Sequence, residues 1–193
     1  MVAQRRTERL RSDAQQNRDH ILEVALEAFT ASSTASLNSI AKQAGLGIGT
    51  LYRHFPTREA LVLEVYRTEV QHVVDAAPAL LESMAPFDAL RAWMELVAQY
   101  GMAKAALADA LRTAATSPER LAAETYGPVI GALSMLLQAN ERVGTIRADV
   151  DPDDVLLMMG FMWRIDPQSD WQAQSRRLLD ILMDGLRAGA PSA

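Results

Sequence analysis

Cysteine is absent from the 193-residue chain. That removes disulfides, thiolate nucleophiles and cysteine-ligated zinc from consideration. Nearly half of the residues are hydrophobic, yet no uncharged apolar run reaches the length of about 18 residues that marks a membrane-spanning helix. The first residues are polar and arginine-rich, with no apolar signal core, so a cytoplasmic protein is expected. Strand-type alternation is missing, and Gly and Pro bracket helical patterns rather than hairpins. Repeats and low-complexity tracts are missing too. The three histidines, His20, His54 and His72, lack metal-ligand spacing, so neither metal nor cofactor is expected.

The remaining signatures of catalysis fail one at a time. Gly45, Gly47 and Gly49 suggest a nucleotide loop, but a glycine fingerprint needs glycine where Thr50 stands, and a helix rather than a strand precedes it. Asp149, Asp151 and Asp153 have the spacing that opens a calcium loop. The sixth position is Asp154 instead of glycine and the twelfth is Gly160 instead of glutamate, and helix capping accounts for the acids. No Ser-His-Asp set converges on a helical scaffold. An enzyme is not expected.

What is present is a charge division. The chain carries a net −5, but residues 1–58 hold Arg5, Arg6, Arg9, Arg11, Arg18, Lys42, Arg53 and Arg58 against five acids, a local +3. The remainder carries −8. Attraction to phosphates acts over roughly 10 Å or less at ordinary ionic strength, so the segment matters more than the total. A basic head on an acidic body suits reversible contact with nucleic acid, although an uneven surface alone explains the same numbers.

Ser36 to Leu61 chooses between those explanations. Ser36 suits a helix N-cap, and Leu37, Ile40, Ala41 and Ala44 form an apolar helical stripe. Gly45 suits the left-handed residue that ends such a helix. Gly47 to Phe55 forms a second helix too short to stand alone. Pro56 stops it and Thr57 caps the next. Two short helices joined by a glycine turn form a helix-turn-helix, whose second member enters the major groove. Leu51 and Phe55 point inward, leaving the other face to read DNA. Gly47 and Gly49 permit close approach. Ile48 and Thr50 suit a thymine methyl, Thr50 also a phosphate, and Tyr52 and His54 suit phosphates. Arg53 is the best candidate for a guanine, with a phosphate clamp or a solvated side chain as the alternatives. Arg58 and the amides starting the third helix form an anion site.

The run Ile40-Ala41, Ala44-Gly45-Leu46-Gly47, Gly49-Thr50-Leu51-Tyr52, His54-Phe55-Pro56 and Arg58-Glu59-Ala60-Leu61 closely resembles the DNA-binding signature of TetR-family regulators. The resemblance implies that Thr50, Tyr52, His54 and Arg58 occupy the usual DNA-contacting positions, with Arg58 where lysine is commoner. It places Asn38 and Ser39 where the preceding helix often adds a contact. The likeness covers the first third of the chain; beyond it only length and helical texture match.

The rest is expected to be all-α. Residues 1–16 form a basic N-terminal arm, read either as a frayed tail or as a reach to phosphates or the minor groove. Residues 17–62 form the DNA-binding domain, with Asn17 capping its first helix, and residues 63–193 bind ligand and dimerise. Helices are expected from Thr57 to about Ala77, over Phe87 to Tyr100, and over Lys104 to Ala115. A helix from Ser117 is kinked or split at Gly127-Pro128. Asp151-Pro152 opens an almost uniformly apolar helix over Val155 to Ile165, and an amphipathic one follows from Trp171. Two such helices need more cover than one chain offers, which points to a homodimer through a four-helix bundle, with the core of a monomer as the alternative. Val155, Leu156, Met159, Met162, Trp163, Leu178, Leu182 and Leu186 are the expected interface. His72, Trp93, Val97, Tyr100, Leu111, Tyr126 and Leu133 lie on inward stripes and either line a pocket or form ordinary core. The resemblance implies an inducer. The expected function is a repressor that binds a palindromic double-stranded DNA operator as a homodimer and is released by a small molecule. The alternative is a helical small-molecule-binding or interaction protein with an idle DNA-binding head.

Overall fold

The computed structural model describes residues 2–32, 34–114, 118–160, 165, 166 and 169–191, as backbone alone at 2–14, 102–106, 108, 109, 112, 113, 118–120, 122 and 123. Among the described residues are eight helices and no strand: α1 (Val2–Ala31), α2 (Leu37–Gln43), α3 (Ile48–His54), α4 (Arg58–Ser83), α5 (Pro86–Ala114), α6 (Pro118–Val143), α7 (Pro152–Met159) and α8 (Trp171–Arg187). The chain divides into two compact units, Met1–Thr68 with Ala106–Pro118, and Glu69–Ala105 with Glu119–Ala193. No helix is long and apolar enough to cross a membrane among the described residues.

The first unit buries Ile21, Leu22, Ala25 and Phe29 of α1, Leu37, Ile40 and Ala41 of α2, Leu51 of α3, and Leu61, Val62 and Val65 of α4. Leu107, Ala110 and Leu111 of α5 are also buried within this unit. The turn between α2 and α3 has the form its glycine forecast. Gly45 sits at φ 66°. Leu46 N donates to Ala41 O at 2.9 Å and Gly45 N to Lys42 O at 3.2 Å. These two bonds satisfy carbonyls that the end of α2 would otherwise leave bare.

In the second unit, Trp93 is fully buried and its Nε1 donates to Val73 O at 2.8 Å. Asn140, also fully buried, donates from Nδ2 to Pro86 O at 2.8 Å and Leu136 O at 2.9 Å. Its Oδ1 accepts from the Thr145 hydroxyl at 2.7 Å. One side chain therefore joins the end of α6, the start of α5 and the turn at Gly144. Arg91 of α5 donates to Glu95 at 2.8 Å and to Asp180 of α8 at 2.7 Å. Those carboxylates raise its pKa against the opposing effect of burial, the Glu95 hydrogen bond being the largest cause.

Five features differ from the sequence expectation. Helix α1 begins at Val2 and runs through Asn17 without a break. Residues 2–16 hold no Gly or Pro and are rich in helix formers, so nothing local stops it. Helix α4 continues through Pro78 to Ser83. Proline removes only one interior donor, the helical partner of the Val74 carbonyl, so the rest of the ladder can run on. The two helices expected between Phe87 and Ala115 are one, with Gly101 buried inside it. Helix α7 ends at Met159, so Ile165 lies beyond it. Pro128 lies inside a continuous α6.

Candidate nucleic-acid interface

The helix-turn-helix is assembled by caps and apolar anchors. Ser36 Oγ accepts from Ser39 N, and Ser39 Oγ accepts from Ser36 N, each at 3.1 Å. This reciprocal box starts α2 with serine in the place glutamate or glutamine more often takes. Helix α3 begins at Gly47 with no side-chain cap, and Phe55 N closes its far end on Leu51 O at 2.8 Å. Thr57 Oγ1 accepts from Ala60 N at 3.1 Å, which fixes the start of α4.

Burying Leu51 and Phe55 turns the opposite side of α3 outward. Ile48, Gly49, Tyr52 and Arg53 are exposed, and Thr50 and His54 are half-buried. Tyr52 leaves 49% of its surface open, its hydroxyl available to a partner outside the chain. His54 tilts against the Phe55 ring at 6.3 Å between centroids. On α2, Asn38 and Lys42 are exposed, whereas the Ser39 hydroxyl is engaged in the cap. Arg58 is half-buried: its Nε donates to Ala35 O at 3.0 Å and its guanidinium carbon lies 5.0 Å from the centre of the Phe29 ring. A short helix with a polar, open face and exposed basic groups at one end is the arrangement that docks in a major groove.

Arg18 escaped the sequence reading of this site. From α1 its guanidinium covers the Phe55 ring at 4.9 Å and its Nη2 donates to Glu64 Oε1 of α4 at 2.6 Å. Phe55 and Glu64 lie 37 and 46 positions away, and no local pattern announces such a pairing.

The residues expected to contact ligand fall into different settings. Trp93, Val97 and Leu133 are buried in the second unit, and Tyr100 is half-buried there with its hydroxyl oxygen buried. Leu111 belongs to the first unit. His72 is exposed, with Nδ1 at 3.5 Å from Glu69 Oε1. Tyr126 is exposed and its hydroxyl donates to Asp153 Oδ1 at 2.7 Å. A groove of about 150 Å³ between α5 and α8 is lined by Glu95, Gln99, Trp171, Gln172 and Arg176 among others. Of the residues expected at the dimer interface, Val155, Leu156, Met159, Leu182 and Leu186 are buried in their own unit and Leu178 is 37% exposed. Met162 and Trp163 lie outside the described residues. Leu157 and Met158 of α7 and Ile181 of α8 are exposed apolar residues as well.

Known proteins match both parts of the chain. Residues 21–65 match the family described as bacterial regulatory proteins, tetR family, and residues 85–188 match the SbtR-like transcriptional regulator C-terminal domain. A TetR transcriptional regulator from Streptomyces coelicolor has a crystal structure 40% identical to this chain. It aligns over 91% of this chain and 99% of its own with a TM-score of 0.82. A TetR transcription regulatory protein from Mycobacterium vanbaalenii is 36% identical over 92% and 99%, with a TM-score of 0.78. An HTH-type transcriptional regulator of Staphylococcus aureus (strain USA300) is 40% identical over 63 residues, a match spanning 32% of this chain and 34% of the relative. With an outward-facing recognition helix at one end and relatives that cover almost all of its length, the chain belongs to the TetR family of DNA-binding transcriptional regulators.

Proposed function

We propose that this regulator is a ligand-responsive repressor that binds a near-palindromic operator as a homodimer and is released by a small-molecule inducer. The observation that carries the reading is the open face of α3, where Ile48, Gly49, Tyr52 and Arg53 face outward over a buried Leu51. Tyr52, His54 and the backbone at Gly49 grip phosphates, Arg53 reads a base, and Ile48 and Thr50 lie against thymine methyls. Asn38 adds a contact from α2. The exposed apolar side chains Leu157 and Met158 of α7 and Leu178 and Ile181 of α8 favour a second copy. Two copies would set their recognition helices about 34–36 Å apart, one turn of duplex. A ligand held in the second unit would act by favouring a spacing that no longer fits. Nearly complete release requires the ligand to prefer that state by about 5.5 kcal/mol.

The test is selection of bound duplexes from a random pool, followed by titration of a Tyr52→Ala/His54→Ala variant. The selected sequences should contain two half-sites about one helical turn apart, with the variant binding more weakly and with a shallower salt dependence. A pool that yields no enriched sequence, or a variant that binds like the parent protein, rejects the reading. Ligand response is tested by thermal shift against a small-molecule library, with operator release as the second requirement.

A further inference from the structure

We infer that Arg18 and Arg58 serve DNA recognition from inside the head, as positioning residues that fix the recognition helix, and that phosphate contact is not their principal role. The inference rests on the family's DNA binding and requires neither a palindrome nor an inducer.

Helix α3 has only seven residues and no side-chain cap at its start. Helices so short do not hold themselves in water, so the orientation of α3 depends on what grips its ends. Phe55 is the residue that closes its C-terminal end. The Arg18 guanidinium lies over that ring at 4.9 Å while Nη2 bonds Glu64 at 2.6 Å, and its Nη1 is buried. One planar group thereby joins α1, the end of α3 and α4. Arg58 makes the complementary join. It leaves the first residue of α4, lies 5.0 Å from the Phe29 ring of α1, and donates to the carbonyl of Ala35, the residue before the Ser36 cap of α2. Between them the two arginines join α1, α4, the residue that closes α3 and the residue that leads into the α2 cap.

A guanidinium is flat, weakly hydrated and forked, so it can cover an aromatic ring with its face while donating from its edge. An ammonium keeps the charge and loses that geometry. A phosphate contact behaves the opposite way: it needs the charge above all, and losing it lowers the salt slope of binding by about one. Charge-conserving substitution therefore separates the two roles. Among the described side chains, Lys42 and Arg53 are exposed cations of this head, open to phosphates or bases beside the polar contacts of α3.

The experiment compares Arg18→Lys, Arg58→Lys, Arg18→Met and Arg58→Met with Lys42→Ala as a phosphate control. Two duplexes are used: one selected by the parent protein from a random pool, and one of mixed sequence. The lysine variants should lose about tenfold or more on the selected duplex and keep mixed-sequence binding within about twofold, with an unchanged salt slope. Lys42→Ala should instead weaken both duplexes and lower the slope. In the free protein, amides of Leu51 to Phe55 should exchange faster in all four arginine variants. A role in global stability alone would leave the ratio of selected to mixed binding unmoved at a temperature where each variant is folded. Lysine variants that bind like the parent, methionine variants that lower the slope by about one, or unchanged amide exchange would overturn the inference. If the pool yields no selected duplex, the operator reading fails by itself and amide exchange decides this one.

Discussion

Two glycines with equally open surroundings have opposite fates as alanines. An added Cβ meets nothing within 4 Å at either Gly45 or Gly131. Gly45, however, holds φ 66°, where a side chain clashes with its own backbone, whereas Gly131 lies inside α6 with no positive φ. Gly45→Ala should destabilise the protein by about 1–2 kcal/mol, and Gly131→Ala should stabilise it by about 0.5–1 kcal/mol, both read from denaturant midpoints. Asn140 is the other residue on which much depends. Alanine there removes two donated bonds and one accepted bond, and strips the part-buried Pro86 carbonyl of its partner. The expected loss is about 2–4 kcal/mol, with the fold retained at low temperature. Gly45 was legible from its position after an apolar stripe. Asn140 was not, since its partner Pro86 lies 54 positions away.

At the scale of the element, the sequence spoke most clearly where a local device ends or starts a helix. The Ser36 cap, the Gly45 turn, the Thr57 cap and the Asp151 cap, whose carboxylate accepts from Asp153 N at 2.8 Å, all stand where the sequence placed them; the return bond from Ser39 was not foreseen. The misread boundaries share the opposite condition. Pro78, Gly101 and Asn17 are break signals that the helices run through: a proline that costs a single interior donor, a glycine buried inside α5, an uninterrupted run of helix formers. The outward and inward faces of α3 followed from periodicity, because Leu51 and Phe55 are four apart. The clasping of that helix by Arg18 did not, because cation–ring contacts leave no local periodicity. One element-scale contact is sensitive to pH. The Tyr126 hydroxyl of α6 donates to Asp153 of α7, and this hydrogen bond is the main cause that raises the phenol's pKa. A group whose pKa is raised by folding contributes its stability below its unfolded value and loses it as pH climbs through the folded one. The join between α6 and α7 should therefore weaken only above the ordinary phenol range. Tyr126→Phe should remove that alkaline step from the stability profile while leaving neutral DNA binding intact.

For the whole molecule, exposure separates two kinds of apolar residue that a helical wheel does not. The sequence announced that α7 and α8 carry more hydrophobic surface than two helices can cover, without saying which residues stay uncovered. Val155, Leu156 and Met159 of α7 and Leu182 and Leu186 of α8 are at most 9% exposed within one chain, so their burial needs no partner. Leu157 and Ile181, at 72% and 69%, bury little in the chain itself, and Met158 and Leu178 of the same two helices are exposed too. Charge placed on the two sets should act differently. A Leu157→Glu/Ile181→Glu variant should keep its helical signal and thermal transition, because neither side chain lies in the core. On the proposed homodimer it should sediment as a monomer, since each glutamate would face apolar surface with no partner across the proposed twofold. Leu182→Glu should instead lower the melting temperature steeply by putting a carboxylate into the unit's own interior. The monomeric variant would carry an intact recognition helix, so it should still bind mixed-sequence duplex at low salt yet lose its preference for a two-half-site operator. A variant that remains dimeric by sedimentation would move the interface off this surface.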